Sequence, residues 1–219
     1  MYGNSRTVRS SQAHVHPRLA HEVSRHCATP WRAPSSPHVE AAADAIVAAL
    51  AQRPLLLDSG CGDGSSTLVL ARLHPAHLSV GVDRSAARLA ARRDGDGAMF
   101  VRTDLPRLWQ ALRARGVRVD RHFLLYPNPS PKPAQRLRRW HFHPAFADLL
   151  ALGGELEMRS NWKIYGEEFA AALAVAGHVP ELDAVPEGEA LTPFERKYRA
   201  SAHALWRVRA TLTAPRCRS

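Results

Sequence analysis

Short runs dominated by apolar residues alternate with amphipathic stretches along most of the chain. The runs are LLLD (55–58), LSVGV (78–82), AMFV (98–101) and FLLY (123–126), and each is followed by a segment with helical spacing. Continuous apolar strands separated by helices are typical of a parallel sheet that is buried on both faces. The pattern therefore predicts an α/β domain with a doubly wound, mostly parallel sheet.

Both ends of this pattern differ from its middle. GGELEMRS (153–160) and HALWRVRATL (203–212) read as strands, the second as an antiparallel partner near the sheet edge. At the other end, SSPHVEAAADAIVAAL predicts a helix that Ser36 caps and Pro37 begins. Residues 1–35 are polar and basic. We therefore expect a partly ordered basic extension over 1–35 and one domain over 36–219.

The composition indicates what kind of partner the protein binds and in which cellular compartment it functions. The 219 residues carry a formal net charge of +10, which favours a polyanionic partner. The three cysteines have no CxxC spacing, and the twelve histidines form no ligand motif, so the chain predicts no disulfide framework and no metal site. The first twelve residues contain no apolar region of a signal peptide, and the longest apolar stretch, AAADAIVAALA, is too short to span a membrane. We expect a cytoplasmic protein.

A glycine-rich turn follows the first predicted strand, in DSGCGDGSST (58–67). Gly60, Gly62 and Gly64 would let the backbone approach a ligand closely. A dinucleotide fingerprint GxGxxG would need glycine at position 65, where the chain has Ser65. The GxGxG spacing resembles motif I of class I S-adenosylmethionine (SAM) methyltransferases.

Aspartates stand at the ends of three predicted strands. Asp58 ends the first, Asp83 ends the second and Asp104 follows the third. Asp83 can accept hydrogen bonds from ribose hydroxyls and Asp104 from an adenine amino group, although each alone is equally a helix cap. Because ligands bind at the carboxyl ends of such strands, the three together predict a SAM or nucleotide pocket. Cys61, inside the turn, is expected to be a small buried residue and not a nucleophile.

The fourth strand runs into YPNPSPKP (126–133), in which proline restricts both itself and the preceding residue. We expect Asn128 and Ser130 to be held rigidly, in extended geometry. With the basic segment RLRRWHFHP (136–144), the GG turn and TPFERKYR (192–199), this stretch resembles the bacterial tRNA (guanine-N7)-methyltransferase family. That family shows Phe-Pro-Asp-Pro-Trp-x-Lys, a Gly-Gly turn into a Thr-Asp strand end, and Thr-x-Phe-Glu. The similarity covers about residues 40 to 207.

The resemblance implies a Rossmann-like class I fold with a seven-stranded sheet, SAM as methyl donor and tRNA as acceptor. The SAM site that it implies comprises Asp58, Gly60, Gly62, Gly64, Asp83, Asp104 and Asn128. The implied contacts to the target nucleoside or its surroundings are Lys132, Asn161, Thr192 and Glu195. Asn128 takes the position of the family's proposed catalytic carboxylate. The chain departs from the family at Asn128 and Asn161, where the family has aspartate, and at Ser130, where it has tryptophan.

The chemistry of guanine N7 decides what these departures cost. N7 carries an in-plane lone pair, so methyl transfer needs no general base, only positioning and accommodation of the positive charge that passes to the purine. An amide at Asn128 can position a base but lacks the negative charge, which Glu195 could supply. If the departures are real losses, we expect slower methylation, a different acceptor, or binding of SAM and RNA without turnover.

Basic side chains crowd the segment after the prolines, and no acid lies among them. They are Lys132, Arg136, Arg138 and Arg139, with His141 and His143. Contacts from this segment to phosphates would hold RNA in register, although a charged run is also typical of a plain solvated helix face. Trp140 and Phe142 can either stack on bases or pack in the core.

The sequence thus predicts a SAM-dependent methyltransferase acting on N7 of guanine 46 in tRNA. Two alternatives stay open: a divergent paralogue that methylates another RNA position or a small molecule, and a catalytically weak SAM-fold protein that binds RNA. The sequence does not decide between a monomer and a homodimer.

Overall fold

Seven strands form a single sheet in the computed structural model, which describes residues 5–29 and 31–213. The strands are β1 (Leu55–Ser59), β2 (Leu78–Asp83), β3 (Ala98–Arg102), β4 (Arg121–Leu125), β5 (Gly154–Ser160), β6 (Glu181–Ala184) and β7 (Trp206–Leu212). Their order is β3-β2-β1-β4-β5-β7-β6. The first five are parallel, and β7 runs antiparallel to both β5 and β6. The predicted doubly wound, mostly parallel sheet is confirmed.

Helices cover both faces of this sheet. They are α1 (Leu19–Ala28), α2 (Pro37–Leu50), α3 (Ser65–Leu73), α4 (Ala86–Leu89), α5 (Leu105–Ala114), α6 (Phe146–Leu152), α7 (Lys163–Val175) and α8 (Pro193–Ala200). Every residue of β1 and β2 is buried, which explains why apolar residues dominate both strands. Ser36 caps α2 as predicted, since its hydroxyl accepts a hydrogen bond from the Val39 N–H. Within the described residues, no helix is long and apolar enough to cross a membrane.

The strand order reverses between β1 and β4. β2 and β3 lie on one side of β1, and β4, β5, β7 and β6 lie on the other. Asp58 pairs in register with Phe123, so these two strands end side by side. In open α/β sheets, the crevice at such a reversal is where ligands bind. The carboxyl ends of β1 and β4 therefore place the glycine turn and the proline segment at one site.

Two parts of the chain differ from the expectation. The basic segment after β4 does not form the predicted helix; it forms two short 3-10 helices, Pro133–Arg138 and Trp140–Phe142. The basic extension contains α1, which packs against α6 and α7 and contributes Leu19 and Val23 to the core. These residues before position 36 are therefore joined to the domain by packing.

Candidate active site

The glycine turn leaves open space in front of its backbone. Gly60, Gly62 and Gly64 all have positive φ, at +84°, +61° and +75°. A Cβ atom added to Gly60 or Gly62 would meet nothing within 4 Å, whereas one on Gly64 would lie 2.5 Å from the Phe100 ring. Gly64 is thus required for packing, and the other two line an open cradle.

Asp83 braces this cradle from the end of β2. One of its carboxylate oxygens accepts the Gly62 N–H at 3.1 Å, and the other accepts the Ser85 N–H at 2.8 Å. The Arg88 guanidinium lies 3.5 Å away. The structure therefore brings Asp83 and the glycine turn together, as the strand-end pattern predicts.

Asp58 is fully buried beneath the turn. Its Oδ2 accepts hydrogen bonds from the hydroxyls of Ser66 (2.6 Å) and Thr67 (2.8 Å), while its Oδ1 has no partner among the described residues. Burial raises the pKa of Asp58 to about 6, against the opposing effect of those two hydrogen bonds. An unpaired buried oxygen of this kind is available to a ligand or a water molecule.

Asp104 lies at the start of α5 and is exposed. Its Oδ1 accepts the Arg107 N–H at 3.2 Å, so it does act as the helix cap that the sequence allowed. Its second oxygen has no hydrogen-bond partner among the described residues and can accept one from a ligand. Capping and ligand binding are thus compatible at this residue.

The proline segment is held in an unusual backbone conformation. Tyr126 and Ser130 have φ values of +53° and +41°. The expectation of extended geometry before proline was therefore wrong at Ser130, which is instead fixed by tertiary contacts. The Asn128 Oδ1 accepts the Ser130 N–H at 3.2 Å, which leaves the two N–H groups of the exposed amide free to donate.

A buried ionic cluster anchors this segment from behind. The Arg139 guanidinium donates two hydrogen bonds to the Ser130 carbonyl, at 3.1 and 3.0 Å, and pairs with Glu168. The exposed fractions of Arg139 and Glu168 are 1% and 0%. Glu168 also accepts hydrogen bonds from His141 and Gln12. Although burial raises its pKa, those two bonds and the Arg139 charge together lower the pKa of Glu168 to about 2.

Part of the basic segment is therefore interior. Arg139 and His141 are buried in the cluster, so the expectation that these two residues contact phosphates with their neighbours was wrong. Lys132 and Arg138 are exposed and Arg136 is half-buried, and none of the three has an acidic partner among the described residues. Phe142 is in the core and Trp140 packs against Trp109 with ring centroids 5.2 Å apart. Core packing, not an exposed stacking face, is what these two rings form.

The remaining predicted residues lie at the ends of β5 and α8. The Thr192 hydroxyl accepts the Glu195 N–H at 2.9 Å and so caps α8. Glu195 is buried and accepts hydrogen bonds from Arg159 (3.1 Å) and Arg199 (2.6 Å). The Thr-x-x-Glu spacing of a helix start was the signal in the sequence for this arrangement. The negative charge of Glu195 is thus already compensated by Arg159 and Arg199.

Asn161 opens on a crevice of about 390 Å³ between the start of α7 and the amino-terminal residues. Its amide nitrogen lies 3.2 Å from the His203 Nδ1. Thr7 and Gln12 line the opposite wall. The amino-terminal segment therefore borders one of the predicted site residues.

Cys61 has the expected role. It is buried against β2, and burial raises the pKa of its thiol. The Thr67 hydroxyl and the Cys61 sulfur fill the space beside Gly81, where no side chain would fit. A buried thiol with a raised pKa is a packing group and not a nucleophile.

Comparison with known proteins bears on this site. A profile of a family described as putative methyltransferase matches residues 52–208. The tRNA (guanine-N(7)-)-methyltransferase of Acidithiobacillus ferrooxidans is 26% identical over 171 residues, which cover 71% of this chain and 74% of the relative. The enzyme of that name from Pseudomonas aeruginosa (strain UCBPP-PA14) is 29% identical over 170 residues, covering 71% and 69%.

Solved structures support the fold. A 16S rRNA (adenine(1408)-N(1))-methyltransferase from Catenulisporales acidiphilia superimposes with a TM-score of 0.54 at 21% identity, covering 85% of this chain and 97% of that one. An antibiotic-related methyltransferase gives 0.56 at 13% identity, covering 83% and 96%. The predicted family, the class I fold and a methyltransferase that uses SAM are confirmed. The chain belongs to the putative methyltransferase family.

Proposed function

We propose that this chain transfers the methyl group of SAM to N7 of a guanine in tRNA, at position 46. The names of the curated relatives support this acceptor. The observation that carries it is the meeting of three features at one edge of the sheet. There the open glycine turn, the rigid Asn128 segment and exposed basic side chains lie at the ends of adjacent strands.

The residues around the glycine turn fit SAM. The open cradle at Gly60 and Gly62 admits a ligand against the backbone, and Asp83 stands beside it with carboxylate oxygens that can accept ribose hydroxyls. The unpaired Asp58 Oδ1 offers a further acceptor within the same turn. SAM, when bound, supplies an electrophilic methyl group on a positively charged sulfur.

The Asn128 segment would orient the guanine base. The guanine N7 lone pair needs alignment with the methyl group and no proton transfer. Asn128 is fixed through its Oδ1 by the Ser130 N–H, and Ser130 is fixed by Arg139, so the Asn128 N–H donors are presented in one direction. These donors can hold guanine O6, which lies next to N7. What the amide lacks is a charge to stabilise the cationic purine.

Restoring the carboxylate at Asn128 should therefore raise turnover. Asn128→Asp keeps the acceptor for the Ser130 N–H and the side-chain shape, and puts a negative charge in place of the two N–H donors. A charge-assisted contact of about 1.4 kcal/mol to the developing cation corresponds to roughly tenfold in kcat. Single-turnover methyl transfer at saturating SAM and tRNA measures it. A fall in the rate would mean that the amide donors are needed for the acceptor, and Asn128→Ala shows the effect of losing both.

The exposed basic residues should give tRNA binding a steep salt dependence. Log affinity should fall with log salt by about 0.7 to 0.9 per phosphate neutralised. The double variant Arg136→Ala/Arg138→Ala lacks two of these cations and should show a slope that is smaller by about 1.4 to 1.8. Arg115→Ala is the matched control, because Arg115 already pairs with Glu40 and Asp44. Equal slopes for the double variant and the control would remove this segment from the RNA surface.

Product analysis tests the function itself. Unmodified bulk tRNA is incubated with labelled SAM, and the nucleosides are separated and identified by mass spectrometry. Label in 7-methylguanosine is the expected result. Label in another nucleoside would overturn the acceptor. Binding of SAM and tRNA without any product would support the RNA-binding alternative, which the neutral amides at Asn128 and Asn161 favour.

A further inference from the structure

Three near-parallel aromatic rings form a row that leads from Asn161 to the outer surface of α8. The His203 and Tyr198 centroids lie 5.1 Å apart with an interplanar angle of 23°, and Tyr198 and Phe194 follow at 6.3 Å and 24°. Tyr126 flanks the middle ring at 5.6 Å. The inner end of the row, at His203, contacts the Asn161 amide. The row therefore begins at a predicted substrate residue.

Phe194 ends the row with one face uncovered. Its exposed fraction is 57%, and among the described residues it is the only exposed Phe, Tyr or Trp; the other large exposed apolar residues are valines and leucines. Exposing a phenylalanine forfeits about 1.5–3 kcal/mol of burial relative to packing it inside. A free ring face in line with others is the geometry that a further planar ring can extend.

The charges around Phe194 indicate what that ring belongs to. Arg196 and Lys197 are exposed on the same helix and have no acidic partner among the described residues. Lys197 is three residues from Phe194, so the two share a helix face. A π-face beside free cations is how proteins bind an unpaired nucleotide, whose base stacks while its phosphate pairs with the cation. A protein partner with an apolar patch would not need these unpaired charges.

We propose that the row formed by Phe194, Tyr198 and His203 is a stacking platform on which an unpaired base of the RNA acceptor lies, at the outer end of the row that begins at Asn161. Phe194 provides the contact face, and Arg196 and Lys197 hold the adjoining phosphate. This platform rests on the proposed function only for RNA as the acceptor, not for the methylated atom.

Two substitutions separate the effect of an aromatic ring at position 194 from the effect of an apolar side chain there. Phe194→Leu keeps an apolar side chain without a π-face, and Phe194→Tyr keeps the ring. Binding of a short single-stranded RNA and of a blunt RNA duplex to the full chain is measured by fluorescence anisotropy. Phe194→Leu should weaken the single strand about tenfold, in the range of one lost stacking contact. Phe194→Tyr should stay within about twofold, and neither variant should change the affinity for the duplex.

The controls keep the result specific. Val179→Ala removes an apolar side chain that is 85% exposed, on the loop before β6, and should leave RNA binding unchanged. Calorimetric SAM affinity should be the same for all variants, which excludes a folding defect. Unchanged single-strand binding by Phe194→Leu, or equal loss for single strand and duplex, would overturn the platform.

The platform and the proposed function fail separately. If no 7-methylguanosine forms but single-strand binding still depends on the ring, only the acceptor atom is wrong. If 7-methylguanosine forms and Phe194→Leu has an unchanged KM for tRNA, only the platform is wrong.

Discussion

Replacing Arg139 with methionine should lower the free energy of unfolding by about 3 to 5 kcal/mol, the usual cost of removing one partner of a buried ion pair. The substitution leaves the Glu168 carboxylate in the interior, where its hydrogen bonds from described residues come only from His141, Gln12 and the His16 N–H. Urea unfolding followed by circular dichroism at pH 7 measures it. The carboxylate is charged at that pH, because its pKa lies near 2 in the folded chain. Its contribution to stability is present above its ordinary pKa and is lost as the pH falls towards 2.

Two controls separate burial from charge. Arg115→Met breaks an exposed pair with Glu40 and Asp44 and should cost about 1 kcal/mol or less. The double variant Arg139→Met/Glu168→Leu removes both buried charges and should recover much of the single-variant loss. If Arg139→Met costs no more than Arg115→Met, the cluster does not hold the Ser130 segment in the way its geometry indicates.

Replacing Asp83 with alanine should raise the dissociation constant for SAM at least tenfold. A carboxylate that accepts ribose hydroxyls makes charge-assisted hydrogen bonds of about 1.5 to 3 kcal/mol each, and losing one already exceeds a factor of ten. The substitution also frees the Gly62 N–H, which Asp83 fixes at 3.1 Å. Isothermal titration calorimetry gives the constant directly.

Asp120→Ala is the matched control for this substitution. Asp120 precedes β4 at the opposite edge of the sheet, where it pairs with His77, and its loss should leave SAM affinity unchanged. Asp83→Asn keeps an acceptor without the charge. Its dissociation constant for SAM should lie between those of the alanine variant and the natural chain. An unchanged constant for Asp83→Ala would remove Asp83 from the cofactor site.

The parallel strands were predictable because a strand that is buried on both faces consists mostly of apolar residues. β6 was not, since Glu181–Ala184 is short and mostly exposed and pairs only with β7. The predicted helix after β2 shrinks to the four residues of α4, whose side chains are not buried. α1 was missed because its few core residues, such as Leu19 and Val23, are spread among arginines and histidines. Local pattern therefore fails where an element depends on distant partners.

The same limit applies to the site. The strand-end aspartates and the glycine turn follow from topology, which the sequence reveals. The burial of Arg139 does not, because its partner Glu168 lies 29 residues further along the chain. The positive φ of Ser130 follows from that cluster and opposes the ordinary preference before proline. The neutral amides at Asn128 and Asn161, in contrast, were predictable directly from the sequence.

The most direct test replaces one atom of the acceptor. Two tRNA transcripts are compared as methyl acceptors from labelled SAM, one with guanine at position 46 and one with 7-deazaguanine there, in which N7 is replaced by a C–H group. Stoichiometric labelling of the first transcript and no labelling of the second is the expected result. Equal labelling of both transcripts would contradict methyl transfer to N7 of that guanine.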